Sequence, residues 1–125
     1  LASFGLFAGS AAATMPARAS RALLALAAAK LVVHSVWMLF HDEYVDVIAD
    51  TGIALTGMAA LYLWSMAARR DPASVWMLGG VGVSLLAAAV QVSGFAPHRS
   101  FNHNDLYHVI QIVAILFFYA GATRL

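Results

Sequence analysis

Phe101-Asn102-His103-Asn104-Asp105-Leu106-Tyr107-His108-Val109-Ile110-Gln111 opens a segment that continues, almost wholly apolar, from Ile112 to Thr123. Polar and ionisable groups crowd its start, yet the whole is about twenty residues long, the length an α-helix needs to cross a bilayer core. In such a helix an ionisable group is by default a candidate functional residue, because an unpaired charge there costs several kcal/mol.

The rest of the chain has the same character. Hydrophobic residues make up 62% and charged residues 10% of its 125 residues, with a mean hydropathy of +0.81, whereas an ordinary soluble domain is roughly 25% charged. The sequence therefore predicts an all-α integral membrane bundle, a single transmembrane domain over residues 1–125. A net charge of +1, with no basic cluster larger than Arg69-Arg70, leaves no field for nucleic acid. The absence of cysteine excludes disulfides, thiolate metal sites and a cysteine nucleophile.

Five spans are predicted: 1–14, 21–40, 44–68, 73–95 and 104–123. The first, rich in Gly5, Gly9 and Ser10, suits close helix packing. It is only about two-thirds of a spanning length. With no positive region ahead of the apolar run, it reads as a helix whose beginning precedes Leu1 rather than as a signal sequence. Pro16 ends it, and His41-Asp42-Glu43 makes a short acidic turn after the second span. Pro72 suits the start of the fourth, where Gly79, Gly80, Gly82 and Ser84 allow another backbone to approach. Such Gly- and Ala-rich faces predict other membrane subunits, besides lipid, as partners.

Short cytoplasmic loops carry an excess of Lys and Arg. Arg18 and Arg21, Arg69 and Arg70, and Arg124 alternate with the acidic and histidine-rich turns, so they share one side. This places the C-terminus in the cytoplasm and all five histidines in the opposite half of the bilayer with every acid except Asp71.

Helical rise converts position into depth. His34 lies about 10 to 12 Å below the non-cytoplasmic surface, Asp50 about 9 Å, His108 and Gln111 about 6 and 10 Å, and Gln91 about 6 Å. Asp46 and Asp50 are four apart, as are Asn104 and His108, so each pair shares a helix face. A layer of two or three histidines with one or two carboxylates matches the ligand set of zinc or another divalent transition metal. A hydrogen-bonded network joining helices would hold the same groups equally well. Lys30, near mid-membrane, either pairs with Asp50 or snorkels.

From His98 to Arg124 the chain resembles the C-terminal signature of an uncharacterised family of bacterial multi-pass membrane proteins. Its layout more distantly resembles the superfamily of alkaline ceramidases and progestin/adipoQ-type receptors, seven-helix membrane hydrolases that hold zinc through histidines. That resemblance implies His108 as a last-helix histidine, His41 or His34 as the second-helix histidine, Asp50 as the aspartate and Ser35 as the serine. Asn104 stands where the other last-helix histidine would be, and Trp37 where a serine would precede His41.

Two functions follow as expectations. One is a metal-dependent hydrolase of a lipid-like amide or ester, with His34, His108 and either His41 or His103 on zinc and with Asp50 and Ser35 in catalysis. The other is a non-catalytic subunit of a larger membrane complex, respiratory or photosynthetic for example, whose histidines are structural or ligate haem or bacteriochlorophyll.

Overall fold

A computed structural model describes residues 2–41 and 44–125, with the side chains of 2, 3, 6 and 44–47 left aside. The predicted acidic turn at Asp42-Glu43 and the side chain of Asp46 thus lie outside the described residues. Five helices follow in order: α1 (Ala2–Thr14), α2 (Ala17–Met38), α3 (Tyr44–Arg69), α4 (Ala73–Ser93) and α5 (His103–Ala122). Among the described residues no strand forms. Four stretches, Ala17–Met38, Ile48–Arg69, Ala73–Ser93 and His103–Ala122, are long and apolar enough to cross a membrane. The protein is an all-helical, membrane-type chain.

Local chemistry sets the helix ends. Pro16 cannot donate a backbone hydrogen bond and disfavours helical geometry in Met15. It therefore separates α1 from α2 while its carbonyl accepts the Ser20 N–H at 2.9 Å. For this reason α2 starts at Ala17, four residues ahead of the sequence expectation at Arg21. Arg70, at φ 52°, closes α3 in the left-handed region, and Gly94, at φ 67°, closes α4 without the Cβ penalty. At α5 the Asn102 side chain accepts from the N–H groups of Asn104 (2.8 Å) and Asp105 (3.2 Å). Asp105 in return accepts from the Asn102 N–H at 3.0 Å, completing a capping box. The helix accordingly starts at His103, one residue early.

The chain forms two compact units, Leu1–Tyr62 and Leu63–Leu125. In the second, α4 and α5 pack as an antiparallel pair. The α4 residues Ala73, Met77, Gly80, Val81, Ser84 and Ala87 are buried, a three-four repeat that makes one face. On α5 the matching face holds Ala114, Phe118 and Gly121. A Cβ on Gly79 would lie 2.6 Å from the Phe117 ring, one on Gly80 2.5 Å from the Phe118 ring, and one on Gly121 2.5 Å from Met77 Sδ. These glycines are sockets for large side chains of the facing helix. In the first unit α1 packs on α2, and Gly57 of α3 makes the same kind of socket for Phe7, 2.6 Å from its absent Cβ. Large apolar side chains such as Leu26, Val33, Leu85 and Ile115 stay exposed, as they do when lipid is the solvent.

Candidate functional site

In the first unit Lys30 Nζ donates to Asp50 Oδ1, an ion pair that ties α2 to α3. Each partner sits on an apolar stripe. Leu23, Leu26, Ala27 and Leu31 surround Lys30 on α2, while Ile53, Ala54 and Gly57 continue the Asp50 face of α3. With Phe4 and Phe7 of α1 these residues line a cavity of about 330 Å³. The Lys30 side chain is 41% exposed and that of Asp50 21%, so the carboxylate is the more sheltered partner. Either charge alone in hydrocarbon costs about 2.5–3.5 kcal/mol at a helix centre. The pair is what allows both to sit among Phe, Leu and Ile. His34, half-buried, stands one turn beyond Lys30 on α2. Ser35, next to it, is exposed.

The second unit carries a different polar device. Ser84 Oγ donates to Gln111 Oε1 at 3.4 Å, and Gln111 Nε2 donates to the Tyr107 hydroxyl at 3.4 Å. This ladder joins α4 to α5 within their packed face, and Ser84 is a partner that sequence reading treated only as a small residue. Gln91 Oε1 is buried without a hydrogen-bond partner among the described residues.

The other histidines have local partners. The His41 ring stacks on Trp37 at 3.9 Å between centroids, with Nδ1 3.3 Å from the Trp37 carbonyl. His98 Nδ1 accepts the Ser100 N–H at 3.1 Å, which fixes a lone pair on that nitrogen and shapes the 98–101 turn. His103 is half-buried in the first turn of α5, and His108 is exposed, edge-on to the Tyr107 ring at 5.1 Å. His34 and Asp50 belong to the first unit, His103 and His108 to the second. Among the described residues no three His, Asp or Glu side chains gather closely enough to share a metal ion.

At the other end of the second unit, Arg124 lies over the Trp76 ring at 4.6 Å and Arg69 over Trp64 at 5.3 Å. Asp71 caps the start of α4, accepting from Ala73 N–H at 2.9 Å and from Ser74 Oγ at 3.2 Å. Arginine, tryptophan and a satisfied carboxylate gather at this end, residue types that favour a membrane–water interface.

A family of unknown function, DUF6962, matches the chain over residues 1–125. The chain belongs to that family. No curated protein matches it, nor does any solved structure. Membership fits the expectation of an uncharacterised family and assigns no activity.

Proposed function

We propose that the chain is a non-catalytic subunit of a larger assembly in a bacterial inner membrane, with the Arg69, Arg70 and Arg124 end on the cytoplasmic side. The observation that carries this is a contrast among glycines. Gly57, Gly79, Gly80 and Gly121 are filled by side chains of this chain, whereas Gly5, Gly9, Gly52 and Gly82 would meet nothing if given a Cβ, and of these Gly5 and Gly9, both exposed, stand four apart on one helix, α1. A small-xxx-small face is how membrane helices bring their backbones together. Asp50 adds support, since its carboxylate is already neutralised by Lys30. The test is native mass spectrometry of the full chain extracted with its lipids. Wild type should be recovered in particles heavier than one chain, and Gly5→Leu/Gly9→Leu as single chains. Recovery of the wild type as a single chain overturns the proposal. A visible absorption band in those particles would make haem or bacteriochlorophyll part of the assembly.

A second reading, the zinc-dependent hydrolase implied by the ceramidase-type resemblance, is supported by the position of His34 one turn from the ion pair. Within the first unit, that reading makes His34 a metal ligand and gives Asp50 and Ser35 the catalytic roles. Zinc supplies a bound water acidic enough to ionise near neutral pH. Near-stoichiometric zinc, lost in His34→Ala, would favour this reading. Zinc-free protein would end it.

A further inference from the structure

The cavity beside Lys30 and Asp50 has the make-up of a ligand site. Its volume of about 330 Å³ lies at the lower edge of small-molecule pockets, which run from about 300 to 1,000 Å³. A space of that size suits one acyl tail or a small ring system rather than a whole lipid. Phe4 and Phe7 form one wall, Leu23 and Leu26 a second, Ile53 a third, and the ion pair is the polar feature among them.

The charges decide the class of occupant. An ammonium carries three N–H donors and a carboxylate two oxygens. One donor and Asp50 Oδ1 are used in the pair, which among the described residues leaves two donors and Oδ2 for a ligand. The pair is net neutral, so an anionic or cationic head would leave one uncompensated charge in hydrocarbon, at a cost of several kcal/mol. An occupant with no polar atom would leave the donors unanswered. We propose that this cavity binds a neutral lipophile whose single hydroxyl or carbonyl hydrogen-bonds to the Lys30–Asp50 pair while its tail fills the space between α1, α2 and α3. Gly57 takes part by admitting the Phe7 ring, 2.6 Å from where a Cβ would stand, and so keeps that ring as a wall of the cavity. This inference is independent of the subunit proposal, since it requires no partner chain.

The test uses the full chain in nanodiscs of a zwitterionic phosphatidylcholine and three photoactivatable probes of equal tail length: a long-chain alcohol, the matching carboxylate and the matching hydrocarbon. Labelled residues are mapped by peptide mass spectrometry. The alcohol should label the cavity residues of α1 and α2 about tenfold or more above the hydrocarbon, the factor expected for one net hydrogen bond to a charged group. Lys30→Met/Asp50→Leu should bring the alcohol down to the hydrocarbon level. Ala27→Phe, which leaves the ion pair in place and fills the cavity, should lower labelling by both. Equal labelling by alcohol and hydrocarbon in the wild type would show only lipid contact and overturn the proposal, as would stronger labelling by the carboxylate. If the double variant loses its helical circular dichroism, Ala27→Phe alone decides: unchanged alcohol labelling there also overturns it.

Discussion

Breaking the Lys30–Asp50 pair should cost more when the lysine is removed than when the aspartate is. Stranding one member of a fully buried pair costs about 3–5 kcal/mol, because the remaining charge keeps its desolvation penalty without its partner. Asp50→Asn strands Lys30, whose long stem can carry the ammonium toward the interface, so the loss is held to about 2–3 kcal/mol. Lys30→Met strands Asp50, whose short side chain cannot reach the interface, and the loss is about 3–5 kcal/mol. Lys30→Met/Asp50→Leu removes both charges and fills their volume with apolar groups, so it should fall within about 1 kcal/mol of wild type. The assay is equilibrium unfolding in mixed micelles titrated with a denaturing detergent, followed by tryptophan fluorescence. The coupling between the two sites should be large and of opposite sign to the single losses. A double variant as unstable as the sum of the singles would refute the pairing. A milder loss in Lys30→Met than in Asp50→Asn would refute that order.

Other expectations concern the helix faces and caps. Asn102→Ala removes the acceptor for two α5 N–H groups and should lower stability by about 1 kcal/mol, read by the same unfolding titration. Gly80→Ala and Gly82→Ala, two residues apart, should differ in sign. The first forces a Cβ to 2.5 Å from the Phe118 ring and should cost about 1–3 kcal/mol. The second meets nothing and should gain about 0.5–1 kcal/mol by helix propensity. Arg124→Ala removes the cation from the Trp76 face and should cost about 0.5–1 kcal/mol, with a shift in tryptophan emission.

The helices were legible because each carries a long apolar run closed by a residue of known backbone habit. Pro16, Pro72, Gly94 and Asn102 all stand at or beside observed ends. Charge neutrality inside an apolar run suggested the pairing of Lys30 with Asp50. Rotation about each helix axis was not legible. The inner stripe of α5 runs through Tyr107, Gln111, Ala114, Phe118 and Gly121, and His108, one position from Tyr107, is exposed. Shared spacing with Asn104 and Gln111 does not reveal which side of the stripe it takes. The glycines of α4 show the same limit: Gly79 and Gly80 meet rings of α5 while Gly82 meets nothing. Only the packing partner distinguishes them. The cavity was invisible for the same reason, because its walls come from three separated segments and from the Phe7 socket at Gly57.

The central claim, that these apolar helices cross a bilayer with arginines at one end and the His98 turn at the other, is tested most directly by labelling single cysteines. A cysteine at Arg70 and one at Leu125 lie at one end of the α4–α5 pair, and a cysteine at Ser100 lies at the other; all three positions are exposed. With a membrane-impermeant maleimide on sealed vesicles of defined orientation, Arg70→Cys and Leu125→Cys should react from the same side and Ser100→Cys only from the opposite side. Reaction of Ser100→Cys and Arg70→Cys from one side would contradict the membrane-spanning account.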